Sequence, residues 1–283
     1  MLLAATLWGV SWYPLRWLES GGLAGTWATL IIYLAAGLAG LWPLARAWRT
    51  GLERPGALWV LALASGWCNL AFVLAVLEGT VVRVLLLFYL SPLWTVLLGR
   101  LILGERLGAR ARMVLAVALV GALIMLWDHR IGWPWPRDVA DWMALSSGAA
   151  FALANVMVRL LEDTPLWVKT GVSWWGVVLV VCVLLALQGE VTPPPVAPGY
   201  WWSAVALGLF GITVMTLAVQ YGVTHMPVHR SAVILLFELV AGALSAWWLT
   251  DEHVAAHEWI GGILIVTAAW LAARLGRGGG WNL

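Results

Sequence analysis

Long apolar runs, separated by short clusters of arginine, proline and glycine, follow one another along the whole chain. A helix needs ~20 mostly apolar residues to cross hydrocarbon, so each run reads as one span. Ten runs emerge: 2–18, 25–45, 57–77, 83–103, 111–127, 140–161, 166–187, 200–222, 231–250 and 258–275. Most connections are short. Two are longer: DHRIGWPWPRDV (128–139), which holds the boundary between two halves, and QGEVTPPPVAPG (188–199), whose prolines forbid a continuous helix. The pattern predicts an all-α, polytopic membrane protein of ten transmembrane helices.

Composition agrees with that class. The 283 residues are 63% hydrophobic and 11% charged, with a mean hydropathy of +0.90. A soluble chain runs at roughly 45–50% apolar and about 25% charged, so this one belongs in lipid. Net charge is only +2 and no basic run stands out, which argues against nucleic acid as a partner. Cys68 and Cys182 lie inside apolar runs, so neither a disulfide framework nor a metal site is indicated. The first run lacks a basic leader and a small-residue cleavage site, and carries Trp8, Trp12 and Tyr13. It reads as a transmembrane helix and not a signal peptide.

Arginine and lysine set the expected orientation. With the N-terminus cytoplasmic, the inner side collects Arg46, Arg49, Arg54, Arg100, Arg106, Arg110, Arg112, Arg159, Lys169, Arg230, Arg274 and Arg277. Only Arg16, Arg83, Arg130 and Arg137 fall outside. Both termini are therefore expected in the cytoplasm, with the protein in the inner (plasma) membrane of a bacterium.

The chain also matches itself weakly. A shift of 147 residues pairs Val81 with Val228, Arg83 with Arg230, Leu97 with Leu244 and Glu105 with Glu252. A shift of 143 pairs Arg16 with Arg159 and Trp8-Gly9 with Phe151-Ala152. Two repeats of five helices follow, at 1–130 and 137–276, with a short cytoplasmic tail at 277–283. An odd helix number turns the second repeat upside down, and two inverted halves that rock against each other are a recurrent transporter construction.

LWGVSW (7–12), LSPLWTVLLGRLILGERL (90–107), HMPVHRSAVILLFELVAGALSAWWLTDEH (225–253) and EWIGGILIV (258–266) resemble the drug/metabolite transporter superfamily with two EamA-type domains. The resemblance covers nearly the whole chain. Within it, LAVLEGTVVRVLLLFYLSPLWT (74–95) looks most like the YddG-type aromatic amino acid exporters. The family often has Glu-Pro in both fourth-type helices. Here Ser91-Pro92 and Glu238-Leu239 each keep half of that pair.

Glu238 is the acidic residue deepest inside a predicted span, where a carboxylate is expensive and functional by default. It is a candidate for binding a substrate ammonium or for coupling transport to a proton; the plainer role is a structural acid bonded to a neighbouring helix. Pro92 withholds a hydrogen bond from the carbonyl of Phe88, beside Ser91, and Pro14 does so for Val10, beside Ser11. Both prolines are expected to act as hinges, against static kinks re-satisfied by serine. Asn69 and Asn155 lie near mid-span, with Thr213, Thr216 and Gln220 on the eighth run. They either fix the polar end of a substrate or bond one helix to the next, and the second is the commoner use. Trp8, Trp12, Tyr89 and Trp94 are candidate walls of an apolar, π-faced cavity. The substrate-binding set expected from sequence is thus Trp8, Ser11, Trp12, Asn69, Tyr89, Ser91, Trp94, Asn155 and Glu238. Arg83 and Arg230 read as snorkelling to headgroups, or as attracting carboxylates at the mouths. His225, His229, His253 and His257 flank helices and are expected to meet water.

No nucleotide-binding loop and no metal-ligand or Ser/His/Asp pattern appears, so neither cofactor nor catalytic residue is expected. The sequence points to a carrier exporting amino acids, aromatic or apolar ones foremost, by alternating access. A drug, organic-cation or nucleotide-sugar carrier of the same superfamily is the first alternative, and an integral-membrane lipid-modifying enzyme the second. A monomer is favoured over a dimer.

Overall fold

The computed structural model describes residues 1–23, 25–50, 54–79, 81–127, 135–189, 192–249 and 255–275. Among them there are helices and no strand. In order these are α1 (Leu2–Val10), α2 (Trp12–Ser20), α3 (Gly25–Ala39), α4 (Leu41–Thr50), α5 (Pro55–Glu78), α6 (Val81–Phe88), α7 (Ser91–Ile102) and α8 (Ala109–Leu126). Then follow α9 (Val139–Leu160), α10 (Leu166–Gln188), α11 (Pro198–Ala206), α12 (Thr213–Thr224), α13 (Val228–Leu235), α14 (Phe237–Leu249) and α15 (Ala256–Leu275). A π-turn segment, Leu207–Ile212, joins α11 to α12 into one rod.

Every one of the ten predicted runs is largely helical, but the span count differs. By length and apolarity eight helices among the described residues suffice to cross a membrane. The first forty residues add at most a ninth, a pair (Leu2–Ser20 and Gly25–Ala39) bent by 118°. The physical reason is interruption. The first run breaks at Ser11 and the second at Gly40, leaving α3 with 15 residues. At 1.5 Å per residue that is about 22 Å, short of a ~30 Å hydrocarbon core. Arg130, Glu252, Arg277, the boundary at 128–134 and the 277–283 tail lie outside the described residues.

The long loop after α10 behaves as its prolines dictate. Gly189, at φ +71°, closes α10 in the left-handed conformation that a helix C-terminus favours, and 192–197 are not helical.

Helix pairing is regular. α5 lies on α9 and α10; α3 on α10, α11 and the π-turn segment; α1 on α12 and α14; α6 and α7 on α9; α7 on α13; and α8 on α15. Exchanging the first five runs for the second five returns the same pairs. Small residues mark the closest contacts, because lipid tails are as apolar as protein side chains and close backbone approach supplies the attraction. Between α8 and α15, a Cβ on Gly121 would lie 2.9 Å from the carbonyl oxygen of Gly261, and a Cβ on Gly261 would lie 2.5 Å from that of Gly121. Gly66 and Gly176 serve α5 and α10 in the same way, and Gly208 lets the π-turn segment meet Ile32 of α3.

Gly121→Leu and Gly261→Leu should each lower the unfolding temperature of the purified protein, by about 1–3 kcal/mol of overpacking. Gly56→Ala, with open space around the added methyl, should leave it unchanged. Thermal unfolding followed by tryptophan fluorescence reads both.

Candidate functional site

The fourth and ninth runs are each broken part-way along their length. The fourth run stops at Phe88, turns through Tyr89 and Leu90, and restarts at Ser91. Leu90 N–H donates to Leu87 O at 3.3 Å and Leu93 N–H to Leu90 O at 2.9 Å, the tight i→i+3 spacing of a 3₁₀ turn. Pro92 stands as the second residue of α7, where it needs no donor. The ninth run breaks at Leu236, with Leu239 N–H donating to Leu236 O at 3.1 Å. The 147-residue shift pairs Tyr89 with Leu236, so both breaks occupy matched positions. Only one of them has a proline.

These breaks gather several of the predicted residues. Glu238 opens the first turn of α14, and the Tyr89 hydroxyl approaches its carboxyl. Around Tyr89 the rings of Phe72, Phe88 and Phe151 form a cluster. Phe88 lies 5.3 Å from Tyr89, 5.1 Å from Phe72 and 5.6 Å from Phe151, centroid to centroid. These separations are those of attractive aromatic pairs. The first helix comes close through Gly9, where a Cβ would lie 2.5 Å from the carbonyl oxygen of Glu238. Trp8 beside it is half-buried against the apolar clusters of helices α3, α9 and α10. Asn155 of α9 is 7% exposed, and among the described residues its amide has no hydrogen-bond partner. A buried amide left in that state is a free polar handle. Ser91 is buried at the break and Trp94 half-buried one turn along α7.

Other predicted residues are spent on the fold. Asn69 accepts from the Tyr33 hydroxyl at 2.9 Å and donates to Ser65 O at 3.0 Å, tying α5 to α3. Trp12 donates through Nε1 to Ser245 Oγ at 2.9 Å, tying α2 to α14. The Ser11 hydroxyl donates to Trp8 O at 2.7 Å, closing the break beside Pro14 from within. The Phe88 carbonyl that Pro92 frees is turned against α9, where a Cβ on Gly148 would lie 2.7 Å away. Close helix packing covers the carbonyl that the proline leaves free. Gln220 accepts from Thr170 Oγ1 at 3.1 Å and donates to Ser173 Oγ at 3.0 Å, and Trp174 donates to Thr216 Oγ1 at 3.3 Å. This polar ladder fastens α10 to α12. Thr213 donates to Gly208 O inside the π-turn segment.

Three charged groups differ from expectation. Arg83 does not snorkel: it is 7% exposed, and its Nε lies 2.7 Å from both carboxylate oxygens of Asp141. A further N–H donates to Trp135 O. Asp141, in the first turn of α9 and 2% exposed, is thus a buried carboxylate that the span reading passed over, whereas Glu238 is half-buried. Lys169, counted among the cytoplasmic charges, is fully buried, donating to Thr224 Oγ1 at 2.7 Å and Val158 O at 3.3 Å. His229, expected at water, is 3% exposed, with Nδ1 3.0 Å from Glu105 Oε2. The same carboxylate accepts from Val228 N–H at 3.2 Å, capping α13. Low local hydropathy was the only signal for these pairings, since each partner sits in a distant part of the chain.

The sequence profile of the EamA-like transporter family matches residues 1–127 and 139–274. The chain belongs to that family. The two matched segments cover most of the chain and flank the stretch at 128–138. An uncharacterized transporter from Archaeoglobus fulgidus is 22% identical over 207 residues, 72% of this chain and 71% of that protein. A solved crystal structure superposes on this EamA-like chain with a TM-score of 0.74 over 98% of it and 96% of the other chain, at 21% identity. That likeness speaks for the fold. The EamA-like assignment makes the chain a multi-pass membrane transporter of small molecules.

Removing one partner of a buried ion pair leaves an uncompensated charge, at about 3–5 kcal/mol. Arg83→Gln and Asp141→Asn are each expected to destabilise this EamA-like protein by that order. The double variant should recover most of the loss, and a double-mutant cycle on unfolding temperature measures the coupling.

Proposed function

We propose that this EamA-like transporter is a carrier exporting amino acids, aromatic or apolar ones foremost, by alternating access. The observation that carries the reading is the meeting of Glu238 with Tyr89 at the two broken helices, beside the phenylalanine cluster. One carboxylate in an apolar, ring-lined setting offers an ammonium group its counter-charge and a side chain its π-faced wall. Asn155 offers hydrogen bonds to a substrate carboxylate. Trp8 and Trp94 extend the aromatic lining, with Ser91 as a further polar contact at the break.

Alternating access rests on the halves. The reading counts each of the ten helical runs as one crossing, the first two as the interrupted pairs α1–α2 and α3–α4, in two inverted five-helix repeats, 1–130 and 137–276, and two observations support the repeats. The helix pairs persist when the halves are exchanged, and the two family matches coincide with the repeats. The breaks at Tyr89–Leu90 and Leu236, with that at Ser11 near Pro14, are the hinges on which the halves rock. Both termini lie in the cytoplasm of a bacterial inner membrane, and one chain suffices for transport. The YddG-type exporters are the subgroup this reading follows.

Proteoliposomes loaded with unlabelled tryptophan, phenylalanine or threonine should take up radiolabelled amino acid by saturable exchange. Glu238→Gln is expected to reduce exchange at least tenfold, and Tyr89→Phe to weaken apparent affinity by roughly 5–10-fold, the value of one ordinary hydrogen bond of about 1 kcal/mol. If Glu238 couples a proton, the effect of a pH gradient disappears in Glu238→Gln. Folded protein that exchanges no amino acid but moves an organic cation would replace this substrate class with the cationic one.

A further inference from the structure

The fold makes the same groove twice. One lies between α7 and α8, about 590 Å³ in volume, with Leu93, Val96, Leu115 and Leu119 on its apolar wall. The other lies between α14 and α15, about 260 Å³, walled by Val240, Ala243, Gly262 and Val266. A shift of 147 residues converts the first quartet into the second, residue by residue. Walls at matched positions with different mouths isolate what each mouth is for.

The mouths differ in chemistry. The α7–α8 groove is rimmed by Arg100, Arg106 and Arg112. Under the same shift Arg100 becomes Trp247 and Arg112 becomes Trp259, whose rings meet at 6.5 Å. The larger groove therefore carries guanidinium groups where its counterpart carries a pair of indoles. All three arginines are exposed, and among the described residues they have no ion-pair or hydrogen-bond partner. Glu105, the carboxylate within the same rim, is turned to Val228 N–H and His229 Nδ1. Its one negative charge against three arginines leaves the rim net positive.

We propose that the α7–α8 groove binds an anionic phospholipid, with an acyl chain along the apolar wall and the headgroup phosphate on Arg100, Arg106 and Arg112. Guanidinium matches phosphate in bidentate geometry and is weakly hydrated, so it gives up water readily at such a rim. Basic clusters at the end of a membrane helix attract anionic headgroups over the short range of a Debye length. An apolar wall continuous with that cluster adds what a soluble anion cannot use. The α14–α15 groove, with its indoles, takes no part in this recognition; Glu258 beside it accepts from Ala255 N–H at 2.6 Å.

The test uses the full chain, delipidated in detergent and titrated with phosphatidylglycerol, phosphatidylcholine or inorganic phosphate. Native mass spectrometry reads retained lipid, and thermal unfolding reads stabilisation. Phosphatidylglycerol should be retained preferentially and raise the unfolding temperature. Arg100→Gln, Arg106→Gln and Arg112→Gln together should cut that preference by on the order of tenfold or more, while the three lysine replacements keep part of it. Ala116→Trp, which fills the groove and leaves the charge, should also reduce retention. Trp247→Ala with Trp259→Ala should not. Equal retention of both lipids by the unaltered protein overturns the proposal, as does a triple glutamine variant that keeps its preference. Stabilisation by inorganic phosphate equal to that by phosphatidylglycerol overturns it as well, by assigning the rim to a soluble anion.

Discussion

In hydrocarbon a peptide group has no water to bond, so each N–H and C=O must find its partner within the protein. That requirement governs this molecule more than any side chain does. It makes the chain helical, and it decides where helices are allowed to stop. Each interruption among the described residues is a compact turn backed by protein. Ser11 folds its hydroxyl back onto Trp8 O, and Gly148 brings α9 against the carbonyl that Pro92 leaves bare. Glycines at 9, 121, 148, 176, 208 and 261 sit where backbones come together, because a side chain there would push the covering helix away.

Much of the fold was legible because lipid imposes a crude code. Apolar runs of spanning length mark helices, and prolines at 193–195 and 198 mark a loop. The candidate site was legible in part for the same reason: a carboxylate inside an apolar run, as at Glu238, has no bland place to hide. What sequence could not convey is partnership. Asn69 and Asn155 look alike on paper, yet one is bonded to Tyr33 and the other is buried with no partner among the described residues. Arg83 and Lys169 read as surface charges because they lie at the ends of runs. Asp141 and Thr224, which draw them inward, are 58 and 55 residues away in the chain. Such pairs depend on how helices are arranged, and hydropathy carries no record of arrangement.

The ninth run makes the same point from the other direction. Proline explains the break at Tyr89–Leu90, and the second half has none at the matching place. The break persists at Leu236 all the same. Gly9 of α1 packs on the Glu238 carbonyl just beyond it, as Gly148 packs on Phe88 in the first half. The kink is thus held by the helix that crosses it, and proline at one copy reinforces a shape already set by packing.

The π-turn at Leu207–Ile212 has no counterpart in α5, the rod at the matching place in the first half. One residue more than an α-turn rotates everything beyond it by about 100° around the rod axis. Above the wide turn the rod faces α3; below it, the face that meets α1, α9 and α10 is one that a straight helix would have aimed elsewhere. A single inserted residue therefore lets one helix serve two sets of neighbours. It also makes the two halves alike in outline but unequal in phase: Gln220 and Thr216 bond to α10 in the second half, where the first half ties α5 to α3 through Asn69 and Tyr33.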